Sequence, residues 1–465
     1  MNLFNLSLHK TLLQLLPPDY KERRGLNHLY VWKDIPYWMV VDEEFSEFLT
    51  ELTSVKTLND IFAKHPEWNT ARKNILTGTK KLLELRVIQK TSESKLKPPP
   101  ASDIAPIENI ALNITMHCNL RCTHCYNKNL LHKNSGELSS DEIINFLKSA
   151  KKILSKSPSL TILGGEPLLY PDKLLSVARY AVKNGFNAIV STNGTLITEK
   201  IAAEIRKAGL HVQVSVDGHN APMNDAVRGI GVFDKLKKGI EILARNRVYT
   251  IISMVCHEGN IDYLERFYLF ARSTGANEVR AIPLKCMGGA LNGKIRPVNL
   301  HTLLQRTCDI LIRFPELAGM LGRDFFSITA NTCMHSVKRA SCGTGLQTLL
   351  LDSDGSIYPC LNTNAPEFRI ANVRDNDFSL ADTWKTSTAL NKIRSLSRID
   401  TINATCGSCE VKHWCLAGCR GETYANTGSF NAMPSNCGDL KQTIIKMFWI
   451  LSENPAIIKP MARIC

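Results

Sequence analysis

The hydrophobic pattern between residues 110 and 314 alternates between short apolar runs and longer segments with a helical period. In the first run, Ile110, Leu112, Ile114 and Met116 alternate with smaller or polar residues, which predicts a buried strand. Five further strands are predicted, each separated from the next by a helical segment, at 159–163, 188–190, 211–216, 249–255 and 279–284. This alternation predicts an α/β fold built on a parallel sheet or barrel.

The helices that follow the second to fifth of these strands are predicted at 172–184, 198–208, 232–246 and 261–273. Three of them are followed by Gly185, Gly209 or Gly275, and glycine commonly ends helices because it accepts a left-handed backbone. Ser139 and Glu142 have the spacing of a capping box, which predicts that another helix begins there and continues to residue 154.

The first 90 residues predict a small separate domain. Its predicted elements, in chain order, are a strand at 30–32, a strand at 38–41, a helix capped by Asp42 that ends at 52, a helix near Thr57, a helix at 69–85 and a strand at 87–89. Residues 91–107 are rich in proline, serine and lysine, which predicts an extended, semi-rigid linker.

Composition narrows the possible functions. The chain of 465 residues is 44% hydrophobic, has a formal net charge of +14 and contains 15 cysteines. No apolar run reaches the length of a membrane span, and the N-terminus has no signal-peptide pattern, so we expect a cytoplasmic protein without a membrane partner. Clustered cysteines without a secretion signal favour metal ligation over disulfides. The positive charge favours acidic partners, but no basic stretch is interleaved with aromatics, so nucleic acid is not expected.

Cys118, Cys122 and Cys125 have the spacing C-x3-C-x2-C directly after the first predicted strand of the barrel. Structural zinc sites and electron-transfer clusters are normally held by four ligands, so three thiolates leave one metal position for another group. Taken alone, the triplet is also compatible with a zinc site or with three unrelated thiols.

With the aromatic Tyr126 after it, this motif resembles the radical S-adenosylmethionine (radical SAM) enzyme family. The resemblance implies that the three cysteines hold a [4Fe-4S] cluster whose fourth iron is chelated by S-adenosylmethionine. It also implies that a 5'-deoxyadenosyl radical abstracts a hydrogen from the substrate, and that the fold is a partial (β/α)6 barrel spanning residues 108–325. A reductant such as flavodoxin or ferredoxin would supply the electron.

Further motifs lie at the ends of the later strands. Gly164 and Gly165 would let the backbone approach a ligand closely, and the resemblance assigns Glu166 in the same segment to the amino group of S-adenosylmethionine. It assigns Asn193 and Ser215 to the ribose, together with Ser191, and Arg228 to the carboxylate, which a guanidinium suits.

The C-terminal third carries a second cysteine series, whose members are Cys342, Cys360, Cys406, Cys409, Cys415, Cys419 and Cys437. Part of this series alone is compatible with a zinc ribbon. The full series resembles the SPASM extension of radical SAM enzymes, expected here over residues 326–445 with a tail at 446–465. The resemblance implies two auxiliary [4Fe-4S] clusters, an outer one on Cys406, Cys409, Cys415 and Cys437 and an inner one on Cys342, Cys360 and Cys419. Cys333 is the candidate fourth inner ligand, and an open iron is the alternative.

The N-terminal domain resembles a winged helix and, more narrowly, the RiPP recognition element, which implies that it binds the leader of a precursor peptide as an added strand. A winged helix with a packing or DNA-binding role is the alternative. Together the three modules predict a maturase that forms a thioether or another crosslink in a ribosomally synthesised peptide. Alternatives are a peptide epimerase using a thiol such as Cys286, an enzyme of haem or tetrapyrrole maturation, and a non-enzymatic metal scaffold. Sulfatase-maturing enzymes carry an aspartate where this chain has Leu361, which disfavours that reaction.

Overall fold

The computed structural model describes residues 9–91, 106–131, 136–322, 340–376 and 378–454. The strands of these residues form a two-stranded, a three-stranded and a nine-stranded sheet. None of the helices in these ranges combines the length and the apolar character that a membrane span needs.

The N-terminal unit contains strands β1 to β5 and helices α1 to α3, at Leu13–Leu15 (β1), Tyr20–Arg24 (β2), Asn27–Trp32 (β3), Tyr37–Asp42 (β4), Glu43–Glu51 (α1), Leu58–Lys64 (α2), Arg72–Glu84 (α3) and Ile88–Lys90 (β5). Strands β2, β3 and β4 form an antiparallel sheet, and β1 pairs with β5. Asp42 accepts a hydrogen bond from the backbone N–H of Phe45 at 2.8 Å, which confirms the predicted cap. The helix predicted at 69–85 is observed as α3, and a 3-10 turn at Pro66–Asn69 precedes it.

The barrel contains six parallel strands, at Ile107–Thr115 (β6), Leu154–Gly164 (β7), Asn187–Thr192 (β8), His211–Ser215 (β9), Thr250–Cys256 (β10) and Glu278–Pro283 (β11). They lie side by side in sequence order, which confirms the predicted α/β architecture. Its helices are Ser140–Ala150 (α4), Pro171–Lys183 (α5), Glu199–Ala208 (α6), Ala221–Arg228 (α7), Val232–Arg245 (α8), Leu264–Ser273 (α9) and Leu300–Arg313 (α10). The predictions missed α7 and α10.

The barrel core lies between the strands and the surrounding helices. Ile110, Leu112 and Ile114 of β6 are buried in this core, as their alternation predicts. Asn113 and Thr115, on the opposite face of the same strand, are also fully buried. Strand β6 is therefore covered on both faces, which is typical of a parallel sheet.

The C-terminal part contains strands Thr348–Leu351 (β12), Ser356–Tyr358 (β13) and Ala371–Asn372 (β14). Its helices are Leu380–Thr386 (α11), Thr388–Leu396 (α12), Ala404–Ser408 (α13), Lys412–Cys415 (α14), Arg420–Thr427 (α15) and Cys437–Glu453 (α16). Strand β12 pairs in parallel with β6, so the sheet of the barrel continues into this part of the chain. Helix α16 continues to Glu453, so the predicted domain boundary at residue 445 falls inside this helix.

The N-terminal sheet lies between two layers. Tyr30 and Trp32 of β3 pack on the helices of their own unit. Leu29 and Val31, on the other face of β3, pack with Trp38 against α16. The N-terminal unit is thus joined to the C-terminal part through this sheet.

Candidate functional site

The cysteine triplet begins three residues after β6 ends, at the carboxyl end of the barrel, as predicted. All three thiols are half-buried, and the backbone N–H of Leu120 donates to the sulfur of Cys118 at 3.4 Å. Burial raises the pKa of each thiol, to about 11 for Cys125, and the neighbouring thiols raise that of Cys125 further. Three soft sulfur donors close to one another and partly accessible fit three corners of an iron-sulfur cluster.

Gly164 and Gly165 lie against the backbone that leads into the triplet. A Cβ on Gly164 would lie 2.1 Å from the carbonyl oxygen of Thr115, and one on Gly165 would lie 2.1 Å from that of His117. The N–H of Gly165 donates to Thr115 at 2.7 Å, and the N–H of Glu166 donates to His117 at 2.8 Å. The close approach seen here is therefore between β7 and the start of the cysteine loop, whereas the sequence suggested an approach to a ligand.

Glu166 is fully buried. One carboxylate oxygen accepts from the N–H of Leu168 at 2.9 Å and the hydroxyl of Thr192 at 2.7 Å, and the other accepts from the N–H of Asn193 at 2.8 Å. The carboxylate thereby fixes the ends of β7 and β8 to each other. Its predicted bond to the amino group of S-adenosylmethionine stays a prediction.

Asn193 connects the end of β8 to the cysteine loop. Its amide nitrogen donates to the side-chain oxygen of Asn119 at 2.8 Å, and its own oxygen accepts from the N–H of Thr195 at 3.0 Å. Asn119 carries no recognisable sequence signal, because its importance depends on its contact with Asn193.

Ser215 is half-buried at the end of β9, in register with Ser253 of β10.

Arg228 ends helix α7 and forms a buried ion pair. Its Nε lies 2.8 Å from a carboxylate oxygen of Asp217, and His124 Nε2 lies 3.4 Å from the same oxygen. The other oxygen of Asp217 accepts from the N–H of Val255 at 3.0 Å. Burial alone would raise the pKa of Asp217, but Arg228 and His124 hold it below its ordinary value. The guanidinium also lies beside Cys122, where it partly offsets the effect of burial on the pKa of that thiol.

The four cysteines predicted for the outer cluster surround one cavity. Its volume is about 300 Å³, and Cys406, Cys409, Cys415 and Cys437 all line it. At its rim, Lys441 forms an ion pair of 2.7 Å with Glu410. Four thiols around one cavity fit a fully ligated cluster.

Cys342, Cys360 and Cys419, predicted for the inner cluster, form a separate group. The thiols of Cys342 and Cys419 are near enough to Cys360 to reinforce the effect of burial, which raises its pKa. The sulfur of Cys419 accepts from the ammonium of Lys285 at 3.6 Å and from the amide of Asn362 at 3.5 Å. Cys333, the candidate fourth ligand, lies outside the described residues.

Residues 285–290, here called the bridge segment, follow β11 and contact both cysteine regions. The N–H of Gly289 donates to the carbonyl oxygen of Cys125 at 2.8 Å. A Cβ on Gly288 would lie 2.2 Å from the carbonyl oxygen of Tyr126. At the other end, the N–H of Cys286 donates to Glu422 of α15 at 3.0 Å. The glycine pair after the sixth strand, Gly288 and Gly289, was the available sequence signal for this role, which was not predicted.

Two family descriptions match the chain. The Radical SAM superfamily matches residues 112–271, which include the triplet and strands β7 to β10. SPASM, described as an iron-sulfur cluster-binding domain, matches residues 342–410.

Named relatives and a solved structure extend these matches. An AdoMet-dependent heme synthase from Methanosarcina barkeri is 28% identical over 337 residues, which are 69% of this chain and 93% of that protein. The mycofactocin maturase MftC from Mycobacterium tuberculosis is 28% identical over 312 residues, 66% of this chain and 76% of that protein. The structure of Streptococcus suis SuiB bound to precursor peptide SuiA matches with a TM-score of 0.60 at 16% identity, covering 91% of this chain and 99% of SuiB. At that identity the match indicates a shared fold.

Proposed function

This chain is a radical SAM enzyme with a SPASM domain, and we propose that it modifies a ribosomally synthesised peptide. The first domain binds S-adenosylmethionine and a [4Fe-4S] cluster, and the second binds auxiliary iron-sulfur clusters. When bound, these groups supply hydrogen abstraction from the substrate and an acceptor for the electron left on the product.

We assign the cysteines as the resemblance implies. Cys118, Cys122 and Cys125 hold the cluster that faces S-adenosylmethionine, and the four thiols around the 300 Å³ cavity hold the outer auxiliary cluster. Cys342, Cys360 and Cys419 hold three irons of the inner one. The residues assigned to S-adenosylmethionine are Gly164, Gly165, Glu166, Asn193, Ser215 and Arg228.

The observation that carries the peptide proposal is the N-terminal unit packed on α16, next to the auxiliary sites. The SuiB match covers 91% of this chain, which is more than residues 91–465 alone contain. The structural likeness therefore extends into the N-terminal unit. SuiB was solved with a precursor peptide, and MftC is named as a maturase. These relatives support a peptide substrate for this chain.

Within the N-terminal unit, the open edge of β4 is the better place for a leader strand. Within the part of the chain that the structure describes, β2 and β4 each pair with β3 alone, so both are edges of the sheet. Strand β2 reads Tyr-Lys-Glu-Arg-Arg, and charged edge strands resist pairing. Strand β4 reads Tyr-Trp-Met-Val-Val-Asp, whose apolar residues suit an added strand.

For the reaction, we propose an oxidative crosslink such as a thioether from a cysteine to a carbon atom of the peptide. The sulfatase-type alternative loses its proton acceptor, because Leu361 stands at the position of the aspartate. Leu361 packs instead against the apolar cluster that contains Phe430. A low-potential flavodoxin or ferredoxin is the proposed reductant.

The test uses the anaerobically reconstituted enzyme with S-adenosylmethionine, reductant and a candidate precursor encoded beside this gene. We expect a product two hydrogens lighter, with one fewer cysteine open to alkylation, and no product from Cys122→Ala. Deuterium uptake from solvent without that loss would instead indicate epimerisation. If the peptide neither binds nor changes, the proposal fails.

Haem or tetrapyrrole maturation is the second candidate, because the heme synthase relative is covered over 93% of its length. A purified enzyme that retains a porphyrin and binds no peptide would favour it. That match covers only 69% of this chain, so it leaves much of the chain without a counterpart.

A further inference from the structure

We propose that Lys285 is a positioning residue for the inner auxiliary cluster, where its ammonium donates to the Cys419 sulfur and raises the reduction potential of that cluster. The inference rests on the proposed ligation by Cys419. It adds a role for a residue of the barrel in a site otherwise formed by the C-terminal part of the chain.

The first support is the contact itself. Lys285 Nζ lies 3.6 Å from the sulfur of Cys419, although the two residues are 134 positions apart in the chain. The amide of Asn362 donates to the same sulfur at 3.5 Å. Cys419 therefore receives one donor from the barrel side and one from the C-terminal side.

The second support is the charge around the ammonium. Cys419, Cys360 and Glu422 all lie close enough to the Lys285 ammonium to interact with its charge. Glu422 is also held by the N–H of Cys286, so its distance from the ammonium is fixed by the bridge segment.

The electrostatic consequence has a definite sign. Reduction adds one negative charge to a cluster, and hydrogen bonds to the ligating sulfurs and nearby charge are among the main determinants of cluster potential. A cation held at Cys419 stabilises the reduced form more than the oxidised form. It therefore raises the potential and makes the inner cluster a better electron acceptor.

The position of Lys285 relates this change in potential to electron transfer between the two cysteine regions. Lys285 begins the bridge segment, whose Gly289 contacts Cys125 of the triplet at 2.8 Å. The segment therefore spans from the site where hydrogen abstraction would occur to the site that would accept the electron. A fixed cation at its inner end favours electron flow in that direction.

The test is a redox titration followed by electron paramagnetic resonance. It uses the full chain in a Cys118→Ala, Cys122→Ala, Cys125→Ala background, which leaves the two auxiliary clusters. Lys285→Met should lower the potential of one cluster without changing the iron content, and Lys285→Arg should restore it toward the parent value. Asn362→Leu, which removes the other donor to Cys419, should lower the potential of the same cluster. If Lys285→Met does not assemble, Lys285→Gln takes its place, because it also removes the charge but keeps a polar side chain.

Lys441→Met is the matched control, because Lys441 lies beside the outer thiols and loses the same charge. It should leave unchanged the cluster that Lys285→Met affects. An unchanged potential in Lys285→Met, or a shift of the same cluster in Lys441→Met, would overturn the proposal. Cys419→Ala tests the ligation separately through the loss of bound iron. No peptide is present, so the result does not depend on the proposed substrate.

Discussion

Asp217 holds the guanidinium of Arg228 and the imidazole of His124 at one buried carboxylate. It is fully buried, with Arg228 at 2.8 Å and His124 at 3.4 Å. Since His124 lies between Cys122 and Cys125 in the chain, the carboxylate positions both the cysteine loop and the arginine proposed to bind the carboxylate of S-adenosylmethionine. Replacing one partner of such a buried pair leaves an uncompensated charge.

We therefore predict that Asp217→Asn is strongly destabilising. The isosteric amide keeps the shape but leaves the Arg228 charge without its partner, which typically costs about 3–5 kcal/mol. The free energy of unfolding of the apo-protein in urea measures this directly. Asp262→Asn is the control, because its 2.7 Å pair with Arg306 is exposed and such pairs contribute at most about 1 kcal/mol. Equal losses in the two variants would contradict the argument.

Among the elements, β7 and the cysteine loop approach each other as closely as backbone allows. We predict that Gly165→Ala lowers both the melting temperature and the iron bound per chain, since a Cβ there would lie 2.1 Å from the carbonyl oxygen of His117. Only a backbone shift can relieve that clash, and it would move the entry to the triplet. Gly319→Ala, whose Cβ would meet nothing within 4 Å, is the control and should bind iron as the parent does. A Gly165→Ala protein with parental iron content would exclude this role for the glycine.

Helix α4 is tied to the C-terminal part at its first turn. The carboxylate of Glu142 accepts a hydrogen bond from Arg374 at 2.7 Å and another from the backbone N–H of Ser139 at 2.8 Å. These bonds lower the pKa of Glu142 to about 2. In the unfolded chain the carboxyl titrates near 4.5. Its contribution to stability is thus complete above pH 4.5 and is lost as the pH falls toward 2.

We predict that Glu142→Gln costs about 1 kcal/mol at pH 7, because the site is partly exposed. The difference from the parent should shrink between pH 4.5 and pH 2. Urea unfolding at pH 7, 4.5 and 3 measures it, with Glu241→Gln as an exposed control whose pair with Lys237 spans 3.8 Å. A difference that stays constant with pH would rule out the proposed cause.

Local signals predicted most of these elements. The period of the apolar residues and the cysteine spacings are short-range features, so the six parallel strands and the triplet at the end of β6 could be read from the sequence. Helix α7 was missed because Pro222, Asn224 and Asp225 are common in turns. Pro222 in fact occupies the first turn of the helix, where its missing N–H costs nothing.

Long-range contacts could not be predicted in the same way. The pairing of β12 with β6 and the contact of Lys285 with Cys419 join segments far apart in the sequence. No periodicity or spacing encodes such contacts. The roles of Asp217 and Asn119 were missed for the same reason, since each depends on its partners in space.

The N-terminal sheet and the cavity lined by the four outer thiols share one apolar cluster. Trp38 of β4 stacks on Phe448 of α16 at 4.8 Å between ring centres, and Trp414 contacts the same ring at 5.2 Å. Cys409 and Cys415 pack against this cluster. The N-terminal unit therefore packs in the same cluster as Val411, Cys409 and Cys415, which line the cavity of the four outer thiols.

We accordingly predict that Trp38→Ala weakens both the docking of the N-terminal unit and the protection of the outer cluster. Removing a buried tryptophan typically costs about 3–5 kcal/mol, and here the loss falls on the interface between two parts of the chain. Thermal unfolding should separate into two transitions, and an iron chelator should remove the iron of one cluster faster than in the parent. Leu26→Ala, on an exposed residue near the same sheet, should change neither measurement. If Trp38→Ala releases iron at the parental rate, the sheet does not shield the outer site and its packing on α16 has only a structural role.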